Sequence, residues 1–344
     1  MRDPVVNTRI TEFFGIRHPI VCGGLMWLAD ANYVAAVVNA GGMGFITAWS
    51  FPDPRDFERE VLKAKEKTEG RPFGVNISVS RRPGVNEMLE PHLDITIREQ
   101  VPFVETSGSS PAHILGPLHD AGIKVMHKVP SVRYALTAQR EGVDAVAVVG
   151  AECGGHPGYQ MTGTIVQAGL ASEQIKVPLV IGGGIGTGRQ ILGTLAMGAD
   201  GVLMGSRMLV ASEIWAHETY KRRVAEGSGE DSVVVMSTFK RHHRVLRNEA
   251  AEKVLAMEAT GDQNIDSYVD LIAGKHVRHA YATGDFSGGM IDFGQAVSFA
   301  NEIKPVEAIF DELIDDFAAA RGRLDTILSV KSAPERHGVL NAIH

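Results

Sequence analysis

Cysteine is scarce: Cys22 and Cys153 are the two in 344 residues, far apart in the chain. They form no CxxC pair and no zinc-type spacing, so a disulfide framework and a metal site are not expected, and a reducing cytoplasmic setting is the default. No apolar run reaches the roughly 18–20 residues of a membrane span. The start, MRDPVVNTRITEFFG, carries acids and no apolar h-region, so neither membrane insertion nor a signal peptide is expected. An excess of positive charge is missing too. A net charge of −7 and a pI near 6.0 argue against a nucleic-acid partner. Glycine, in contrast, is plentiful: 38 residues, many placed directly after apolar runs. That placement suits an α/β protein with ligand-binding loops.

Apolar segments recur about every 20–30 residues, the length of one strand–helix unit. Candidate strands are Ile20–Cys22, Met43–Thr47, Phe73–Ser78, Phe103–Thr106, Lys124–His127, Ala145–Val149, Leu179–Ile181 and Gly201–Met204. Continuous runs such as AVAVVG fit parallel strands covered on both faces. Helical segments fall between them at Asn32–Asn39, Pro54–Lys67, Asn86–Glu99, Ala112–Asp120, Val132–Glu141 and Arg189–Met197. Eight strands predict an α/β fold, a TIM (β/α)8 barrel; an open doubly wound sheet is the alternative. An open sheet carries its phosphate turn after the first strand, whereas here the glycine-rich turns follow the seventh and eighth. IGGGIGTG also fails the G-x-G-x-x-G pattern in every register.

From about Ala211 the chain becomes more charged and reads mainly helical, in EIWAHETYKRRVAEG and NEAAEKVLAMEATG. The expected division is a barrel over 1–212, a smaller, mostly helical second domain over the barrel mouth at 213–291, and C-terminal helices at 292–344 that pack back on the barrel. The last part contains Ala296–Asn301, Pro305–Arg321 and a loose polar tail after Ser329.

The stretch from Val177 to Arg207 carries the first chemical signal. One apolar run ends in Gly182, Gly183 and Gly184, and the next ends in Gly205 and Ser206. Glycine lets a phosphate approach backbone N–H groups, and a helix start adds partial positive charge. Two such turns side by side resemble the phosphate site after strands 7 and 8 of a barrel. The loop GAECGGHPG follows the sixth strand, and its glycines let His156 approach a flat ligand as a general base or hydrogen-bond donor. Tying down a turn is the plainer role for that histidine. Cys153 reads mainly as a small buried residue, and Glu152 as an anchor for its loop. Lys128, at the end of the fifth strand, could hold the pyrimidine edge of a flavin. Asn76 is a polar residue in an apolar run, and Gly23, Gly24 and Leu25, followed by Met26 and Trp27, could lie against a ring. The basic cluster Lys240–Arg244 reads mainly as a solvated face, or else as a landing site for an anionic cosubstrate.

These segments together (HPIVCGG, NAGGMG, RPFGVN, VMHKV, GAECGGHPG, VIGGGIGTGR and MGSR) resemble the FMN-dependent nitronate monooxygenase family over roughly residues 10–330. The resemblance implies FMN at the barrel mouth. Gly23, Gly24 and Leu25 would lie along the isoalloxazine, Asn76, Lys128 and Gly154 would contact the flavin, and Gly182, Gly183, Gly184, Gly205 and Ser206 would bind its phosphate. His156 matches the family's active-site histidine. The implied reaction oxidises alkyl nitronates to carbonyl compound and nitrite with O2. CGGLMW after the first strand is similar to the branch holding NADH:quinone reductases, so NADH as cosubstrate and a quinone as acceptor form the alternative. A barrel like inosine-phosphate dehydrogenase, with Cys153 as nucleophile, and a non-catalytic flavin-binding protein are weaker readings. The expected partner is a small molecule, nitronate or quinone; a homodimer is compatible with the sequence.

Overall fold

The computed structural model describes residues 6–80 and 87–328. Asn86 and the tail after Ser329, both assigned from sequence, lie outside the described residues. Eight parallel strands close in sequential order: β1 Ile20–Cys22, β2 Met43–Thr47, β3 Gly74–Val79, β4 Phe103–Gly108, β5 Lys124–Val129, β6 Ala145–Val149, β7 Leu179–Gly182 and β8 Gly201–Met204. β8 pairs with β1 through Ile20–Val202, Val21–Leu203 and Cys22–Met204. Closure leaves no sheet edge and excludes the open alternative.

Strand parity decides what fills the barrel. Val21, Met43, Phe45, Phe103, Met126, Ala145, Ala147, Val180 and Leu203 form one interior cluster, separate from the larger layer between strands and helices. The short helix Arg9–Phe14, not anticipated from sequence, closes the bottom of this cluster with Ile10 and Phe14. Thr8 and Thr11 cap it reciprocally, and Gly15 ends it in the left-handed region at φ 68°. The Phe14 ring stands edge-on to Phe103 at 4.9 Å and to Phe45 at 6.0 Å. A second unanticipated helix, Thr164–Gln174, has Ile165, Val166 and Leu170 exposed, which blurs the apolar periodicity that would reveal it.

After the barrel the chain is not only helical. Helices Glu218–Ala225, Glu249–Ala259 and Gly274–Thr283 alternate along the chain with an antiparallel ribbon of β9 Ser232–Val235 and β10 His243–Leu246, against which Glu249–Ala259 packs. Val235, Met236, Val245, Val254, Tyr268 and Met290 form a separate apolar cluster there. β10 also makes isolated bridges to two other segments, Gly155–Arg244 to the loop after β6 and Val245–Asp292 to the returning chain. The segment expected as helix at Ala296–Asn301 is a 3-10 turn, Gln295–Phe299. Helix Val306–Leu328 then lies against helix Gly188–Ala196, where Arg189 grips Asp316 in a bidentate pair. No helix among the described residues is long and apolar enough to cross a membrane.

Two outcomes follow for stability. Phe14→Ala should cost about 3–5 kcal/mol, because the plug leaves a cavity against two rings that cannot collapse into it; urea unfolding measures this. His127 faces outward from β5, buried, with Nδ1 2.8 Å from Thr106 Oγ1. Burial first, then the adjacent Lys128 charge, lower its pKa from 6.5 to about 4. Below pH 6.5 the unfolded chain takes up a proton that the folded barrel refuses, so stability falls as pH drops toward 4. The loss should approach about 3 kcal/mol at the lower end, and His127→Gln should flatten that part of the stability–pH curve.

Candidate active site at the barrel mouth

A cavity of about 370 Å³ opens at the C-terminal ends of the strands, where barrel enzymes place their chemistry. On one side, inward parity brings Asn76 of β3, Glu105 of β4 and Lys128 of β5 together. Asn76 and Glu105 are direct register partners. The Glu105 side chain is fully buried, with Oε2 accepting from Asn76 Nδ2 at 2.5 Å, Gly24 N at 3.0 Å and Lys128 Nζ at 3.2 Å. Lys128 Nζ lies equally near Oε1, which accepts no well-formed hydrogen bond. A Cβ on Gly23 would sit 2.8 Å from that oxygen, and one on Gly24 would sit 2.5 Å from Asn76 Cβ. The two glycines are thus required by this polar cluster as well as by any ring laid on them.

On the other side lie the turns after β7 and β8. Gly183 at φ 106° and Gly184 at φ 70° bend the backbone into a conformation that side chains resist. Thr164 fastens this turn to the loop after β6: its hydroxyl lies 2.7 Å from Glu152 Oε2 and 2.8 Å from Gly183 O. Glu152 Oε2 also accepts the Thr164 N–H at 2.9 Å, so this carboxylate is a structural anchor, as the sequence suggested. Gln190, in a capping box with Thr187, holds Gly184 O at 3.0 Å from the start of the next helix. Across the gap, a Cβ on Gly205 would meet only Leu25 Cδ2, at 3.7 Å, so its backbone face is open. The Ser206 hydroxyl accepts the Gly294 N–H at 2.9 Å.

The histidine loop closes the third side. His156 stacks on His243 with centroids 4.3 Å apart and planes 15° apart, and His243 Nε2 lies 2.6 Å from Asp292 Oδ1. Desolvation within the fold and the neighbouring His243 charge lower the His156 pKa, although the residue keeps exposed surface at the mouth. Both influences favour the neutral form of the imidazole. Crowding raises the Asp292 carboxyl, but the hydrogen bond and charge of His243, backed by His156 and Lys128, outweigh it and hold the group below its ordinary value. The Arg244 guanidinium donates twice to Ala151 O at 3.1 Å, 93 positions earlier in the chain, and its backbone pairs with Gly155. His243 and Arg244 thus turn inward, which corrects the reading of 240–244 as one solvated face.

The cavity gathers Gly23, Gly24, Leu25, Asn76, Lys128, Gly154, His156, Gly183, Gly184, Gly205 and Ser206, together with Met26. Gly182 is not at its surface: it sits within β7, where a Cβ would press on Leu203 Cβ at 2.9 Å. Trp27 turns away, at φ 68°, and its carbonyl accepts from Trp215 Nε1 at 2.6 Å. Burial pushes the Cys153 thiol up to about 12, which removes the nucleophile that the dehydrogenase-like alternative required. Sequence reasoning missed Glu105, Tyr281 and Asp292, and read His243 only as part of the basic cluster 240–244. A lone acid inside the apolar run FVETSG, at the same inward parity as Asn76, was the signal for Glu105. His243, Tyr281 and Asp292 carry none, because their neighbours in space are remote in sequence.

A closed parallel barrel with open glycine turns on its last two strands, facing a lysine and a histidine, defines a cofactor-binding barrel enzyme. The chain belongs to the nitronate monooxygenase family, whose model matches residues 7–316, and is a flavin-dependent oxidoreductase. It is 31% identical over 250 residues to the (3aS,4S,5R,7aS)-5-hydroxy-7a-methyl-1-oxo-octahydro-1H-indene-4-carboxyl-CoA dehydrogenase of Mycobacterium tuberculosis, covering 72% of this chain and 68% of that one. It is 28% identical over 289 residues to a protein of Staphylococcus saprophyticus named as a probable nitronate monooxygenase, covering 72% and 81%. Among solved structures, FabK from Thermotoga maritima superposes with a TM-score of 0.86 at 32% identity, over 94% of this chain and all of that one. Nitroalkane oxidase from Streptomyces ansochromogenes shares the fold, with a TM-score of 0.78 at 22% identity over 92% of this chain and all of that one.

Glu105→Gln tests the buried cluster. An amide there removes the charge facing Lys128 and sets an N–H₂ among donors. We expect a loss of about 3 kcal/mol and a lower flavin-to-protein ratio, read from the melting temperature and the visible spectrum. Unchanged values of both would show that Glu105 organises nothing.

Proposed function

We propose that the protein holds FMN at this mouth and oxidises alkyl nitronates to carbonyl compound and nitrite with O2. The observation that carries this reading is an imidazole, His156, sharing one cavity with Lys128, Asn76 and two open glycine turns. Backbone N–H groups at Gly183, Gly184, Gly205 and Ser206 would hold the phosphate. Gly23, Gly24 and Leu25 would face the ring system, with Asn76, Lys128 and Gly154 at its polar edge. When bound, the flavin supplies the electron acceptor.

The residues of the chain contribute orientation, charge and a proton site. The fixed positive charge of Lys128 favours a ligand that gains negative charge beside it. His156 can take the α-proton of an unionised nitroalkane; the Asp292 carboxylate favours the cation that results, against the opposing charge of His243. Residues 213–291 act in this reading as a cap over the mouth, with Tyr281 among the cavity walls. NADH:quinone reduction at the same site is the second reading, favoured by the CGGLMW sequence after β1.

Anaerobic mixing separates them. Bleaching by a nitronate supports the first; bleaching by NADH with nitronates inert selects the second. His156→Ala should keep its flavin and lose about 10²–10⁴-fold in kcat/KM for neutral nitroalkanes, with preformed nitronates affected much less. Because burial lowers the His156 pKa, wild-type kcat/KM for nitroalkanes should decline only as pH falls below the ordinary 6.5 of a histidine. An acid limb centred at or above 6.5 would rule out His156 as the base.

A further inference from the structure

We propose that Tyr159, Lys240, Arg241 and His242 form a ledge for the adenosine diphosphate end of an extended cosubstrate, the portion that nicotinamide dinucleotides and coenzyme A thioesters share. The proposal rests on the reading of the neighbouring cavity as a flavin redox site, fits the second reading of it, in which an extended cosubstrate takes part, and names the class of molecule that reaches it from outside.

The ledge begins where the cavity ends. His243 stacks on His156 at the rim, and the preceding residue, His242, stacks on Tyr159 with centroids 5.4 Å apart and planes 28° apart. His156 lines the cavity, whereas Tyr159 and His242 do not. Lys240 Nζ reaches to 5.9 Å from the Tyr159 ring, and Tyr159 remains 52% exposed. An exposed aromatic flanked by cations offers stacking to a purine and charge-assisted hydrogen bonds to a diphosphate.

The cations here are uncompensated. Lys240 and Arg241 are both exposed, and among the described residues neither pairs with a carboxylate. Nearby basic residues differ: Arg247 pairs with Glu252, and Arg222 with Glu218. Glu258 reaches the same turn but directs its oxygens to the backbone N–H groups of Met236 and Thr238, at 3.0 and 2.8 Å. His242 Nδ1 is buried without a hydrogen-bond partner. In a chain of net charge −7, such a patch stands out as an anion site.

The ledge is also rigid. Phe239 packs edge-on to Tyr268 at 5.0 Å, anchoring the turn in its own apolar cluster. Lys240 holds φ 55°, with its N–H on Ser237 O at 2.9 Å. Little backbone freedom of this turn remains to be lost when a ligand docks.

Titration calorimetry of the flavin-loaded protein with ADP tests the proposal. We expect saturable binding that weakens with added salt and falls about tenfold or more in Tyr159→Leu and in the double variant Lys240→Ala/Arg241→Ala. Flavin content and turnover of small nitronates should stay at wild-type level, since those ligands end at the cavity. Competition by NADH and by coenzyme A then distinguishes the sources: displacement of ADP by either supports the ledge, and the one whose apparent affinity falls in both variants identifies the tail. No ADP binding by the wild type, or equal binding by the variants, overturns the ledge. ADP binding that is lost in the variants while nitronates prove inert would keep the ledge and count against nitronate oxidation.

Discussion

A carboxylate buried in a barrel has to be surrounded by donors, and Glu105 imposes that condition on the whole mouth. Its Oε2 draws in Asn76 of β3, Lys128 of β5 and the Gly24 N–H beyond β1. Each group is fixed by the others. Lys128 keeps only 21% of its side chain exposed, so its charge is held at one place instead of moving through solvent. Removing any member would leave a buried polar group without a partner, which costs more than the hydrogen bond itself contributed. The absence of side chains at Gly23 and Gly24 belongs to the same arrangement, since a Cβ at either would collide with Glu105 or Asn76.

The opposite wall depends on a backbone junction. Gly155 pairs with Arg244, Asp292 pairs with Val245, and Arg244 reaches Ala151 through its side chain. The loop after β6 is thereby stitched to β10, and the His156–His243–Asp292 arrangement follows from that stitching. A bare backbone at Gly154 is part of the junction, because a Cβ there would lie 2.7 Å from Gly294 N. The inward-turned half of the basic cluster therefore serves geometry, while its outer half, Lys240 and Arg241, retains free charge at the rim. One short sequence motif divides into two physical roles at the point where β10 begins.

Strands read closely from sequence because each one ends where its apolar run ends; β1, β2, β6 and β8 fall on the expected boundaries. Helices Pro54–Lys67 and Val132–Glu141 were equally clear, with apolar faces at helical spacing and Asp53 or Gly142 at an end. The helix Thr164–Gln174 was hidden by its exposed apolar residues. The β9–β10 ribbon was hidden within a charged stretch, where the alternation needed to signal a strand is lost between Val235 and His243. Eleven of the twelve site residues expected from sequence line one cavity, and Gly182 was displaced because the strand runs one residue farther than the apolar run.

Local pattern was enough to specify the barrel, its glycine turns and the candidate lysine and histidine, because strand period, turn chemistry and residue type are properties of neighbouring positions. The partnership of Glu105 with Lys128 came from the strand register, which sets adjacent inner faces side by side. The pairing of His156 with His243 and Asp292 came only with the three-dimensional fold. Those groups meet through a ribbon that returns to the mouth from far along the chain, and no periodicity in the sequence encodes a contact of that range.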